Sequence, residues 1–124
     1  MIYEMNDLKN IEMTWEEFQL FMKGKIFLIG LTFIDQNEHL IEQYQTSGTV
    51  EELDDSGILK FRRLDGSLFM LPYAQETISV AVAGKYREKG TGNIVVNPDY
   101  ITTWIININD GDDFEEVKLN GYVP

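Results

Sequence analysis

Residues 58–72 have the sequence ILKFRRLDGSLFMLP, in which two mostly apolar runs flank the pair Asp65-Gly66. An Asp-Gly pair tolerates the positive φ angles of a tight turn, so the segment predicts a β-hairpin. Leu59 and Phe61 face inward in that register, and the basic residues that alternate with them face solvent. This hairpin is the clearest local signal in the chain, and the segments around it extend the same β pattern.

A helix is predicted before the strands, over about residues 14–23. Thr14 and Glu17 have the capping-box spacing, which satisfies backbone N–H groups at the start of a helix. The aromatic residues of this segment recur at helical spacing, which is typical of a face that packs on a core. Gly24 follows and can adopt the left-handed conformation that ends a helix.

Further strands are predicted on both sides of the hairpin. Turn sequences at residues 35–38 and 54–57 separate the first of them. The second strand is expected to bend near Ser47-Gly48, because glycine permits a bulge. Residues 84–93 contain three glycines and are predicted to form a loop or a hairpin tip. The predicted strands span residues 25–34, 39–53, 58–64, 67–71, 77–83, 94–96 and 100–108.

These elements predict a mainly β fold with one N-terminal helix. The simplest arrangement is an antiparallel meander that forms a partly open small barrel or a strongly curved sheet. A length of 124 residues fits one domain with one core. We therefore expect a single domain over residues 1–124, with the helix at about 14–23, a β-rich core at about 25–109 and a C-terminal tail at 110–124.

The chain is strongly acidic, with a formal net charge of -11 at pH 7. This charge opposes nucleic-acid binding, which depends on neutralising phosphates with Lys and Arg, and it suits a basic protein partner. Acidity also keeps small proteins soluble, and this second explanation stays open. The chain has no cysteine, no basic and apolar leader and no apolar run long enough to cross a membrane, which predicts a cytoplasmic protein.

Two acidic clusters lie at predicted turns and form the candidate partner-binding surface. Complementary charge at such a surface speeds the encounter with a basic partner, and the alternative is that both clusters are solvated turns. A group of bases in the middle of the chain supplies an alternative surface for RNA or a peptide, if its members converge on one face. The acidic residues are Glu51, Glu52, Asp54, Asp55, Asp110, Asp112, Asp113, Glu115 and Glu116, and the bases are Lys60, Arg62, Arg63, Lys85, Arg87 and Lys89.

The sequence contains no motif typical of catalysis or of a cofactor. The single histidine, His39, lies next to a predicted loop, and no Gly-x-Ser-x-Gly segment occurs. The glycines of residues 84–93 match neither a phosphate-binding loop nor a dinucleotide fingerprint. The oxygen donors around Gly111 lack the spacing of an EF-hand, although a weak cation site near Asp110 stays open. We therefore expect a non-catalytic protein with no cofactor and no metal.

Two resemblances extend this interpretation. The predicted order of helix, long strand and bent strand, with residues 48–55 (GTVEELDD) leading into 58–61 (ILKF), resembles an Sm-like or SH3-like small β-barrel. Sm-like proteins form rings that bind RNA, so this resemblance implies a homo-oligomeric module for RNA or a peptide. In size, charge and lack of cysteine, the chain also resembles bacterial immunity proteins, which neutralise a toxin by covering an essential surface.

The favoured hypothesis is a non-catalytic binding protein that masks a basic toxin or effector. The Sm-like or SH3-like module is the first alternative, and the net charge opposes its RNA-binding form. A protein that binds a small ligand or a metal is the second alternative.

Overall fold

The computed structural model describes residues 13–108 and 114–123. It confirms the mainly β class, and no helix in this part of the chain is long and apolar enough to cross a membrane. The elements are α1 (Trp15–Met22), β1 (Ile26–Ile34), β2 (Leu40–Leu53), β3 (Ile58–Arg62), β4 (Leu68–Pro72), a short 3-10 helix (Gln75–Thr77), β5 (Ile78–Val80), β6 (Lys85–Arg87), β7 (Ile94–Val96), β8 (Tyr100–Asn107) and α2 (Phe114–Asn120).

Helix α1 begins and ends where its sequence predicts. The Thr14 hydroxyl accepts a hydrogen bond from the Glu17 N–H at 3.1 Å, and Gly24 has a φ of 87° just after the helix. Met22 is fully buried in the same core cluster as Phe27 of β1. The apolar side of α1 therefore covers part of the sheet.

Six strands form one sheet in the order β4-β3-β2-β1-β8-β5, and β6 pairs with β7 in a separate hairpin. Strands β1 to β4 form an antiparallel meander, as predicted. Strand β8, however, lies parallel to β1, with Phe27 opposite Tyr100 and Ile34 opposite Asn107. An entirely antiparallel arrangement is therefore wrong. Among the described residues the sheet is open, with β4 and β5 at its edges.

Asp99 sets the start of the parallel pair. Its backbone N–H donates to the Ile26 carbonyl at 2.8 Å, and its Oδ2 accepts from the Ile26 N–H at 2.8 Å. The parallel direction is available because residues 35–99 form a long connection between the two strands, whereas strands joined by a short turn are antiparallel. Turn signals reveal only the short connections, so they did not predict this pair.

The hydrophobic core lies on one face of the sheet. Strand β1 places Phe27, Ile29, Leu31 and Phe33 on that face, and each of them is at most 1 % exposed. Leu28, on the opposite face, is also buried. The continuous apolar sequence of β1 is thus explained by its central position, where both faces of the strand are covered near its start.

The three hairpins of the meander share one type of loop. In each, the N–H of the residue before the loop donates to the carbonyl four positions later, and the last loop residue has a positive φ. These φ angles are 62° at Glu38, 88° at Gly57 and 85° at Gly66. The predicted hairpin at Asp65-Gly66 is confirmed, but its loop comprises residues 64–66, so β3 and β4 are shorter than expected.

Three predicted segments differ from the structure. Strand β5 is short because it pairs with only three residues of β8. Residues 84–93, predicted as a loop or a hairpin tip, contain β6 as well as the tip that joins it to β7. The predicted C-terminal tail contains α2, whose Phe114 ring lies 5.5 Å from the Phe33 ring. An isolated helix of this length is unstable in water, so α2 depends on tertiary contacts that its sequence does not show.

Strand β2 passes Gly48 without a register shift, and the irregularity lies between Val50 and Glu52. A Cβ atom at Gly48 would lie 2.7 Å from the Phe61 Cβ and 3.2 Å from the Arg62 carbonyl oxygen. Glycine is therefore needed there for the close approach of β3.

Gly48→Ala is expected to destabilise the fold by about 1–3 kcal/mol, because the added methyl group forces β3 to move. Gly30→Ala on β1 is the matched control, since a Cβ there would make an ordinary 3.5 Å contact with Thr103. We expect the control to change the free energy of unfolding by less than about 0.5 kcal/mol. Urea unfolding followed by tryptophan fluorescence measures both values, and equal midpoints would contradict the packing argument.

Candidate functional site

The first acidic cluster lies beside counter-charges on the neighbouring strand. The Arg62 guanidinium donates to Glu51 at 2.7 Å, and the Lys60 ammonium lies 3.2 Å from Glu52. Lys60 is also 3.7 Å from Asp54. The pKa of Lys60 is raised, mainly by the hydrogen bond to Glu52 and by the charge of that carboxylate. The structure therefore brings members of the acidic cluster and of the basic group together on β2 and β3.

Asp54 stabilises a turn. Its Oδ1 accepts from the backbone N–H groups of Ser56 and Ile58, both at 2.9 Å. The bond from Ile58 is the main cause that lowers the pKa of the Asp54 carboxyl, followed by the bond from the Ser56 hydroxyl. Asp35 and Asp65 accept hydrogen bonds within their own turns, and these also lower the pKa of each carboxyl.

A shallow groove of about 290 Å³ lies between α1 and the end of β2. Glu16, Glu51 and Glu52 line it together with Lys23, and Leu20 in the same lining is 73 % exposed. We call this surface the acidic groove. It combines three carboxylates and one ammonium group with an accessible apolar side chain.

Gln19 holds α1 against the end of β2. Its Nε2 donates to the Leu53 carbonyl at 2.9 Å and to the Asp55 carboxylate at 3.0 Å. Because the first bond is to the backbone of β2, the helix and the strand keep a defined separation. Asp55 is thereby placed beside the acidic groove.

The second acidic cluster lies partly outside the described residues, since Asp110, Asp112 and Asp113 are not among them. Glu115 and Glu116 occupy the first turn of α2. Carboxylates at this position interact favourably with the positive end of the helix dipole. These two residues therefore have a role in the helix whether or not they contact a partner.

Arg63, a member of the basic group, connects the β3–β4 loop to α2. Its guanidinium donates to the Lys118 carbonyl at 2.9 Å and to the Leu119 carbonyl at 2.5 Å. It also lies over the Phe69 ring, 4.9 Å from the centroid. Arg63 thus satisfies carbonyls that the end of a helix leaves without intrahelical partners.

The remaining bases belong to the β6–β7 hairpin. Lys85 and Arg87 are exposed on β6, and Arg87 donates to the Gly92 carbonyl at 3.3 Å. The Lys89 ammonium donates to the Gln43 side chain at 2.8 Å. The six bases are therefore distributed over β3, the β3–β4 loop and the β6–β7 hairpin.

A further site lies where the tip of the β6–β7 hairpin meets β2. The Glu88 carboxylate accepts from the Ser47 hydroxyl at 2.5 Å and from the Thr91 hydroxyl at 2.7 Å. The Gln45 N–H donates to the Lys89 carbonyl at 2.7 Å and fixes the tip at the edge of β2. Glu88, Ser47 and Thr91 line a cavity of about 280 Å³, which we call the hairpin cavity.

Helix α2 and the β3–β4 loop form the other wall of the hairpin cavity. The Lys118 ammonium lies 2.7 Å from Glu42 and 2.9 Å from Glu115. The hydrogen bond to Glu42 is the main cause that raises the pKa of Lys118. Tyr44 lines the cavity with its ring centroid 5.6 Å from that ammonium, and Leu64 in the lining is 77 % exposed.

Sequence reasoning missed the hairpin cavity. Glu88 is one acid among bases in a glycine-containing loop, which is a local pattern typical of an exposed residue. Its partner Ser47 is 41 positions away in the chain. Only long-range packing brings the two side chains together, so the sequence carried no usable signal for this site.

Within residues 13–108 and 114–123, no three His, Cys, Asp or Glu side chains are grouped so that they could hold a metal ion. The His39 Nδ1 lies 3.5 Å from the Asp35 carboxylate in the β1–β2 turn. Comparison with protein families, with curated proteins and with solved structures gives no match.

Asp54→Asn is expected to lower the free energy of unfolding at pH 7 and to weaken its dependence on acid pH. A carboxyl whose pKa is lower in the folded chain stabilises it above the ordinary value of 3.8 and loses this effect as the pH falls through the folded pKa. The two proteins should therefore differ at pH 7 and converge well below pH 3.8. Urea midpoints across this range measure the difference, and a difference that is constant with pH would contradict the assignment.

Arg63→Lys is expected to loosen α2 by about 1–3 kcal/mol, because lysine lacks the planar fork that reaches both carbonyls. Amide hydrogen exchange in residues 114–120 should become faster. Arg62→Lys is the control, since its exposed pair with Glu51 contributes only about 0–1 kcal/mol. Unchanged exchange in both variants would show that Arg63 does not anchor the helix.

Proposed function

We propose that this chain is a non-catalytic binding protein that covers a basic surface of a protein partner, as an immunity protein covers a toxin or effector. The observation that carries the proposal is the acidic groove, in which three carboxylates and the exposed Leu20 line one surface. The net charge of -11 favours the same class of partner, because it accelerates the approach of a cationic molecule.

The ion pairs that Glu51 and Glu52 form with bases of β3 leave the acidic groove accessible to a partner. The side chains of Glu51 and Glu52 are 51 % and 57 % exposed although each is paired with a base. Exposed pairs of this kind contribute about 0–1 kcal/mol. An arginine or lysine of the partner can therefore join or replace the intrachain base at little cost.

Leu20 supplies an apolar contact, which the charged groups of the groove do not provide. Charged groups at the rim of an interface mainly raise the association rate, whereas buried apolar contacts slow dissociation. Because an exposed leucine lies next to three carboxylates, a partner that contacts this surface can both associate faster and dissociate more slowly. This arrangement favours a partner surface that presents basic residues around an apolar one.

The alternative, an Sm-like or SH3-like oligomer that binds RNA or a peptide through the basic group, has weaker support. Lys60 and Arg62 are paired with acids, and Arg63 donates to the carbonyls of α2. Phosphates would have to displace these partners against a net charge of -11. A basic partner of the acidic groove would compete with the same two ion pairs, but the net charge of -11 favours its approach.

Reversing the groove charges should weaken partner binding. In Glu51→Lys/Glu52→Lys, the association rate with the partner is expected to fall about tenfold at low salt, and the loss should shrink as salt screens the charges. Glu38→Lys/Glu76→Lys is the matched control, because it changes the net charge equally outside the groove. Affinity capture at low and moderate salt identifies the partner, with the product of the adjacent upstream gene as the first candidate, and biosensor kinetics measure the rates.

Leu20→Ala is expected to raise the dissociation rate of the same complex several-fold and to leave association nearly unchanged. A basic partner that associates equally fast with the groove variant and with its control would exclude the acidic groove as the contact. Failure to recover any protein partner at low salt would remove the support for an immunity-type role.

A further inference from the structure

Glu88 stands apart from the other acids of the chain. Within the described residues it is the only charged side chain that is buried, with 2 % exposure. Both of its carboxylate oxygens accept hydrogen bonds from neutral hydroxyls, those of Ser47 and Thr91. No ammonium or guanidinium in this part of the chain forms an ion pair with it.

A buried carboxylate with neutral donors alone lacks electrostatic compensation. Moving a charge out of water is unfavourable unless an opposite charge replaces the lost hydration. A carboxylate also offers about four acceptor positions, and two hydroxyl groups occupy about half of them. A donor that carries positive charge would supply both the compensation and the remaining hydrogen bonds.

The cations already in the hairpin cavity are held by other groups. Lys118 is bound between Glu42 and Glu115, and Arg63 donates to carbonyls of α2 and to the Ser67 hydroxyl. Neither is within ion-pair distance of Glu88. Residues 13–108 and 114–123 therefore supply no positive charge that pairs with Glu88, and a cationic ligand would supply one.

We propose that the hairpin cavity binds an organic cation, a primary ammonium or a guanidinium, on the Glu88 carboxylate. A volume of about 280 Å³ is just below the usual range of ligand pockets, which suits a small cationic head group with a short alkyl stem. Tyr44 and Leu64 supply aromatic and apolar surface for that stem. The cation is either a lysine or arginine side chain of a protein or a free polyamine.

This proposal is independent of the acidic groove. The two sites have no lining residue in common, and they lie on different segments of β2. Either site can therefore fail its test without affecting the other. The groove is tested by protein association, and the cavity is tested by the binding of small probes.

Titration of the wild-type chain with matched small molecules tests the cavity directly. The probes are n-butylammonium and methylguanidinium, with n-butanol and methylurea as neutral analogues of the same shape, at constant ionic strength. Amide chemical shifts of Ser47, Glu88 and Thr91 report binding. We expect saturable shifts with the cations and at least about tenfold weaker binding of the neutral analogues.

Glu88→Gln preserves the size of the side chain and removes its charge, so it should reduce cation binding about tenfold or more. Glu51→Gln in the acidic groove is the control and should bind the cations as the wild type does. If Glu88→Gln does not fold, the comparison of charged and neutral probes on the wild type still decides the matter. Equal binding of both probe types, unchanged binding in Glu88→Gln or the absence of saturable shifts would each overturn the proposal.

Two larger probes separate the sources of the cation. Nα-acetyl-lysine methylamide represents a side chain of a protein, and spermidine represents a free polyamine. Tighter binding of the lysine derivative would assign the cavity to a protein side chain, whereas tighter binding of spermidine would assign it to a polyamine. Both results support a cation site, and binding of neither would overturn it.

Discussion

The pairing of β1 on both of its edges is the constraint on which the rest of the structure depends. Strand β1 pairs with β2 and with β8 over almost its whole length. Its Phe27 ring lies 5.2 Å from that of Phe61 and 5.3 Å from that of Tyr100, and its Phe33 packs against Phe114 of α2. One buried strand therefore joins the meander, the parallel strand and the C-terminal helix. Each fully buried side chain of this size contributes about 1.5–3 kcal/mol, so β1 is also a main source of stability.

The hairpin cavity is a consequence of unequal strand lengths within that sheet. Strand β2 has 14 residues, whereas β3 has 5. Strand β3 therefore pairs with β2 only near the C-terminal end of β2. The remaining edge of β2 has backbone groups that need partners. The tip of the β6–β7 hairpin supplies one through the bond from the Gln45 N–H to the Lys89 carbonyl. The same docking buries Glu88, so its burial follows from the need to cover an open strand edge.

Features that depend on a few neighbouring residues could be predicted from the sequence. The cap formed by Thr14, the β-hairpin at Asp65-Gly66 and the end of α1 at Gly24 are all confirmed. Features that depend on distant contacts could not. The parallel pairing of β8 needs Asp99 to meet Ile26, and the cavity needs residues 47 and 88 to meet. Periodicity and turn chemistry contain no information about such long-range contacts, because both contacting segments have ordinary local sequences.

The acidic residues of the chain have different surroundings, and the turns account for some of them. Asp35, Asp54 and Asp65 accept hydrogen bonds from their own turns, so their charge is explained by the fold. A count of acids therefore overstates the surface that is available for binding. What distinguishes a candidate site is a carboxylate whose surroundings are not explained by the fold alone. An exposed leucine accompanies the groove carboxylates, and the docking that buries Glu88 supplies it with neutral donors alone.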